Sequence, residues 1–162
     1  MISTQSVSWT DPRVAALHAA LSAETGAMYK DLLDSLTPEA LAAARASLAI
    51  EPAVIEATLL ILDGDTSVGT GAIRRSVAAP ETEWEVKRVY VADSYRGRGL
   101  SRTLMLDLEA RAKAAGARSM VLQTGGRQDA AHGLYESLGY QRVEAFPPYG
   151  TYPQERYYRK TL

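Results

Sequence analysis

The chain has 162 residues, 46% hydrophobic and 23% charged, the balance of an ordinary globular domain, so one domain spanning 1–162 is the natural expectation. It has no cysteine, which excludes disulfides, cysteine-zinc sites and a thiol nucleophile. Lys and Arg total 18 against 19 Asp and Glu, a formal charge of -1, so nothing global attracts nucleic acid or an anionic membrane and any anion site must be local.

Met1 to Thr10 has neither a basic start nor an apolar run, and the longest aliphatic stretch, Leu59 to Leu62, is far short of a membrane span. The expectation is a soluble, cytoplasmic protein without a membrane partner. Met1 to Ser8 alternates weakly and reads as an edge strand. Asp11-Pro12 then supplies an N-cap and a proline for a helix to about Glu24, with Val14, Leu17 and Leu21 on one face. Thr37-Pro38 caps a second, alanine-rich helix to about Leu48. Thr58 to Leu62, the turn Asp63-Gly64-Asp65, and Ser67 to Arg74 form a hairpin. Trp84 to Val91 is a long β-branched and aromatic strand. Leu100, Leu104 and Leu108 mark a helix from Leu100 to Ala115 that closes on Gly116. Ser119 to Gln123 is a strand, Gln128 to Leu138 a helix, and Gln141 to Val143 and Glu155 to Lys160 are closing strands. The pattern is mixed α/β.

Between a strand and the most regular helix lies Val89-Tyr90-Val91-Ala92-Asp93-Ser94-Tyr95-Arg96-Gly97-Arg98-Gly99-Leu100-Ser101. Gly97 and Gly99 let the backbone bend and approach a ligand, and the first helical turn offers unpaired N–H groups with the positive dipole end behind them. Phosphate is the expected occupant. The Gly-Lys-Ser/Thr ending of an ATP loop and the third glycine of a dinucleotide fingerprint are both missing. Taken alone, a tight structural turn explains the glycines equally well.

With its context the segment resembles the acetyl-CoA motif of the GNAT superfamily of N-acetyltransferases, Arg/Gln-x-x-Gly-x-Gly/Ala, matched at Arg96, Gly99 and Ser101, where serine replaces the usual glycine or alanine. A second block, Ala131-His132-Gly133-Leu134-Tyr135-Glu136-Ser137-Leu138-Gly139-Tyr140, is similar to the family's later helix. Gln128 stands where an asparagine is often found. The resemblance spans Trp84 to Tyr140, roughly a third of the chain. It implies a mostly antiparallel sheet flanked by helices, with the strands ending at Val91 and Gln123 splaying apart. Acetyl-CoA would lie in the gap, its pantetheine arm on the backbone of Val89, Tyr90 and Val91 and beside Gln128. Its diphosphate would rest on the amides of Arg96, Gly97, Arg98, Gly99, Leu100 and Ser101, with Arg96 and Arg98 adding charge. The implied reaction moves acetyl directly to a primary amine of a small molecule or peptide, with Tyr135 protonating the departing CoA thiolate and a strand N–H, that of Val91, polarising the thioester carbonyl.

Glu83 and Glu85 share one strand face and are candidate bases acting through water, although acidic residues at a strand start are usually solvated. Tyr135 also fits a core aromatic. His18 and His132 both lie on predicted helices; His132, one turn before Tyr135, is either near the cofactor mouth or, more commonly for such a histidine, at the surface, and neither is spaced for a metal, so no metal is expected. Lys87 and Arg88 are expected to alternate between solvent and the cofactor mouth, and nucleic acid is not an expected partner. Six of the 9 tyrosines lie between Tyr135 and Tyr158, and the stiff loop Phe146 to Pro153, with Phe146 and Tyr149, is a candidate acceptor lining or a cover for a sheet edge. Oligomeric state stays open, a homodimer included. The alternative class is an acyl-CoA-binding or interaction module without catalysis, which would not need a proton donor at Tyr135.

Overall fold

A computed structural model of the chain describes residues 1–150 and 154–162; the notional acceptor loop therefore falls partly, at residues 151–153, outside the described residues. The chain order is β1 (Ile2–Val7), α1 (Pro12–Met28), α2 (Lys30–Asp34), α3 (Pro38–Leu48), β2 (Ile55–Asp63), β3 (Thr66–Arg75), β4 (Glu83–Val91), α4 (Leu100–Ala114), β5 (Ser119–Gly125), α5 (Asp129–Ser137), β6 (Gln141–Val143) and β7 (Glu155–Thr161). Among the described residues the strands form one sheet in the order β1-β2-β3-β4-β5-β7-β6, antiparallel except at the β4–β5 pair. The mixed, mostly antiparallel sheet with flanking helices is the fold expected from the sequence.

Asp11 caps α1 through a bond from the Arg13 N–H, and Thr37 caps α3 through one from the Ala40 N–H. The largest departure from expectation is in the first helical region. α1 continues past Glu24 to Met28, with the Thr25 hydroxyl bonded back to the Leu21 carbonyl, and the five-residue α2 follows at once. Neither Thr25 nor Gly26 favours a helix, so local propensity is overridden here.

The sheet has two differently built faces. On one, α4 presents Leu100, Leu104, Met105, Leu108 and Ala112 to Ile73, Trp84, Val86 and Leu122, while α5 adds Tyr135 and Leu138. Each fully buried aliphatic side chain there is worth roughly 1.5–3 kcal/mol. On the other face, Val14 and Leu17 of α1 pack on Leu60, and Phe146 and Tyr149 pack on Val121 and Tyr157. Between these two smaller clusters the second face is polar.

Candidate active site

β4 and β5 run side by side for only three register pairs, Glu83 with Ser119, Trp84 with Met120 and Glu85 with Val121. Beyond them β4 stays paired to β3 as far as Val91, and β5 stays paired to β7 as far as Gly125, so each strand keeps one partner and leaves the other. The Ala92 N–H donates to the Val68 carbonyl at 2.9 Å, and Tyr90 is in register with Thr70. Strand alternation therefore turns the backbone groups of Val89 and Val91 away from β3 and toward the gap.

At the end of β4 a single helical turn, Asp93–Tyr95, leads into Gly97 and Gly99 at φ 73° and 76°. A Cβ at either glycine would meet nothing within 4 Å, so their requirement is the left-handed backbone and not room inside the protein. Gly99 occupies the cap position of α4, and no side chain among the described residues caps it, which leaves the first amides of α4 available to an anion. The two arginines are not where the sequence reading put them. The Arg96 Nε donates to the Val91 carbonyl at 3.0 Å and its terminal nitrogens reach Glu24 at 2.7 Å and Asp93 at 3.3 Å. Arg98 donates to the Ser94 carbonyl at 3.1 Å and lies over the Tyr95 ring. Arg96 thus fastens the loop to β4 and α1, and the groups the turn leaves open are backbone N–H groups. These gap-facing strand groups and left-handed, uncapped turn fit a cofactor with a diphosphate and an extended, amide-bearing arm.

On α5, Tyr135 is buried between the Tyr140 and Tyr158 rings, with centroids 6.0 and 5.9 Å away. Burial, with a smaller contribution from Tyr158, pushes its phenol up to about 12, so the hydroxyl keeps its proton at neutral pH. That hydroxyl makes no hydrogen bond to another described residue. The core role and a free proton donor are therefore compatible in one side chain. Gln128 is half-buried at the start of α5, and a Cβ on Gly125 would fall 2.8 Å from its Nε2 and 2.0 Å from the Tyr29 hydroxyl, so the bare backbone of Gly125 lets both side chains close over the end of β5. His132 is no surface residue: its Nε2 lies 3.0 Å from the Gly125 carbonyl and its Nδ1 2.7 Å from the Tyr158 hydroxyl. A carbonyl only accepts, so Nε2 carries the hydrogen.

The acidic pair is buried, contrary to the expectation of solvated carboxylates. Glu83 accepts from the hydroxyls of Ser76 at 3.1 Å and Ser119 at 3.0 Å and from the Arg159 Nε at 2.8 Å. Its carboxylate joins β4 to β5 and β7, and the structure does not bring it to the gap. Glu85, two residues on, is fully buried; one oxygen takes the Arg74 Nε at 2.8 Å, and the other accepts from the Tyr149 hydroxyl and from the Lys87 Nζ at 3.3 Å. Lys87 also donates to the Tyr149 oxygen. Desolvation lowers Lys87 from its ordinary value, opposed by the charge of Glu85, and burial, then Glu85, raises the Tyr149 phenol. Tyr149 and Phe146 are thus core residues at the end of a buried charge cluster.

Lys87 and Arg88 do not alternate. The register slips between Thr70–Tyr90 and Ala72–Lys87, and Arg88 stands in the slip with φ 55°. Such a bulge re-aims a side chain, and here Lys87 reaches Tyr149 while Arg88 reaches Ser22 of α1. Within the same space His18 is half-buried, its ring 4.5 Å from that of Trp9.

The acetyltransferase (GNAT) family profile matches residues 20–140. The chain belongs to that family. It is 32% identical, over 100% of its length and 98% of the other chain, to a structure from Klebsiella pneumoniae provisionally named an acyl-CoA N-acyltransferase, with a TM-score of 0.78. It is also 37% identical over 100 residues, 60% of this chain and 62% of the relative, to an IAA acetyltransferase of Azospirillum brasilense. Against the N-alpha-acetyltransferase RimI of Mycobacterium tuberculosis it is 35% identical over 96 residues, 59% of this chain and 54% of that one. The matches thus span less than two thirds of these curated relatives.

In this GNAT chain nothing in the sequence singled out Arg74 or Ser22, and Lys87, Arg88 and His18 were named without the bulge and the contacts that place them. The pair of consecutive cations Lys87-Arg88 within a strand was the available cue to a bulge, since two charges in succession cannot both face solvent in a regular buried strand. Among the described residues no cluster of three metal-ligating side chains occurs, and no helix is long and apolar enough to cross a membrane.

Proposed function

We propose that this GNAT chain is an enzyme that transfers acetyl from acetyl-CoA directly to a primary amine of a small molecule or a peptide. The observation that carries the reading is the parting of β4 from β5 after Glu85, next to a left-handed glycine turn whose amides are uncapped. Acetyl-CoA would supply an activated acetyl thioester. The backbones of Val89 and Val91 bind and orient its arm, and the amides of Gly97 to Ser101 take the phosphate charge, with Gln128 beside the arm. The Val91 N–H, aimed into the gap, polarises the carbonyl.

Tyr135 then holds a proton for the departing sulfur, because its phenol stays protonated and its hydroxyl has no competing acceptor among the described residues. On the amine side Glu85 is the base, and the Tyr149 hydroxyl bonded to it takes the relaying place first assigned to water. Glu83 has no part in this scheme, because it stands at the far end of the paired stretch of β4 and β5, opposite Ser119, whereas Glu85 stands at its last pair. A binding module without catalysis would show acetyl-CoA affinity and no turnover. The test is CoA-thiol release with a panel of amino acids, polyamines, aminoglycosides and peptides. A rate with any amine that depends on both substrates supports the enzyme, and tight acetyl-CoA binding with no release across the panel rejects it.

A further inference from the structure

Arg88 is the half-buried arginine on the α1 side of β4, placed by a bulge at φ 55°, a backbone region that costs a non-glycine residue roughly 1–3 kcal/mol and persists only where the surroundings impose it. What the strain achieves is to aim the guanidinium off the strand toward α1, between Lys87, which belongs to the Glu85 cluster, and Val89, whose backbone faces the gap. Other arginines of the protein have acidic partners close by: Arg74 meets Glu85 at 2.8 Å, Arg96 meets Glu24 at 2.7 Å, Arg127 meets Asp31 at 2.6 Å and Arg159 meets Glu83 at 2.8 Å. Arg88 has none within ion-pair distance among the described residues, and its one hydrogen bond there goes to the Ser22 hydroxyl at 3.5 Å, the outer limit of such a bond. Beside it, the fully buried Nε2 of His18 has no hydrogen-bond partner. Burial, then the charge of Arg88, brings His18 down to about 4, so the ring is neutral and adds no second charge. A half-buried cation held by one long hydrogen bond, with an unpartnered buried ring nitrogen beside it, is costly to keep unless a ligand completes it.

We infer that the acceptor amine carries a carboxylate, and that Arg88 holds it with Ser22 and His18 alongside. The inference rests on the acetyl-transfer reading above and narrows its acceptor to amino acids, free at the α- or ω-amino group. Lys87 is already committed to Glu85 and Tyr149. That leaves one unpaired unit charge, which suits a carboxylate better than a phosphate dianion. Along an extended strand Val91 lies about 10 Å from Arg88, a span shared between the arginine side chain and a small amino acid whose nitrogen reaches the thioester.

The test compares initial rates of CoA release for amino acids, their carboxamides and amine-bearing phosphate esters, with wild type, Arg88→Met and Arg88→Lys. A charge-assisted pair of this kind predicts kcat/KM about 10- to 100-fold higher for an acid than for its amide, carried by KM. Arg88→Met brings that ratio to about 1, with Arg88→Lys between. Acetyl-CoA affinity, measured by calorimetry, reports whether each variant is folded, and if Arg88→Met is not, the wild-type ratio decides alone. Equal rates for acid and amide in wild type, a preference that survives Arg88→Met, or a preference for the phosphate esters over the carboxylates overturns the inference. No release with any amine, in a protein that binds acetyl-CoA, removes the transferase reading and this one with it, and differs visibly from turnover without preference.

Discussion

The first three residues of β4 and the last three are built on opposite terms. From Glu83 to Glu85 the strand has neighbours on both sides, and the two carboxylates are surrounded by donors from β3, β5, β7 and the Tyr149 loop. From Val89 to Val91 it has a neighbour on one side only, and its other edge is free. A single strand thus supplies both a rigid root and an open edge. The contrast teaches that the divergence is not a loosening of the sheet, because the polar groups that fasten the root are the ones from which the edge projects.

The largest effect should come from the root. Glu85→Ala leaves Arg74 and Lys87 buried without their carboxylate, and breaking a buried pair by removing one partner costs about 3–5 kcal/mol. Chemical denaturation should show a loss of that order, and turnover per folded molecule should fall as well, because the proposed base is gone. A variant as stable as wild type would mean that the cluster does not anchor the strand.

At the edge the expectation reverses. Tyr135→Phe keeps the ring between Tyr140 and Tyr158 and deletes only the hydroxyl, so the melting temperature should hardly change. kcat should drop about 100-fold, the low end of general-acid effects, since water can replace the donor in part. Wild-type turnover in Tyr135→Phe, with the chemical step shown to be rate-limiting, would leave the residue a core aromatic only.

Gly99→Val is expected to come next. A β-branched residue disfavours the φ of 76° and sets a side chain where a phosphate is to approach, so the Kd for acetyl-CoA should rise at least about tenfold. Calorimetry measures it, and unchanged affinity in a folded variant would take the turn out of the cofactor site.

How much of this was legible in the sequence follows the same division. The elements around the open edge were readable because their determinants are local: the glycines at 97 and 99 and the apolar spacing of α4 lie within the turn and helix they shape, while the parting of the strands was expected only from the family resemblance. The root was not, because Glu83 and Glu85 take their partners from Arg74, Ser119, Tyr149 and Arg159, and no periodicity tells a reader which distant donor meets a strand carboxylate. The Arg88 bulge was hidden for a related reason: it answers to the mismatch between β3 and β4 and to α1, and not to any turn-forming residue of its own.

The smallest effect concerns what holds the far end of β5 once it has left β4. Beyond its pairing with β7, that end is clasped from the α1–α2 junction. The Tyr29 hydroxyl accepts from the Arg127 N–H at 2.9 Å, and the Arg127 guanidinium meets the Asp31 carboxylate at 2.6 and 3.0 Å. Hydrogen bonding from Arg127 holds Asp31 down to about 2 from its usual 3.8. A carboxyl depressed in the folded state contributes stability above its unfolded value and loses that contribution as pH falls toward the folded value. Asp31→Asn should therefore melt slightly below wild type at neutral pH, with the difference shrinking as pH drops from about 4 toward about 2. Because the pair is exposed, salt should shrink it as well. If the clasp sets the width of the gap as well as steadying β5, the KM for the amine will move in Asp31→Asn while the melting temperature barely does. An unchanged KM confines the clasp to stability and leaves the β4 root and β7 as the elements that hold the two strands apart.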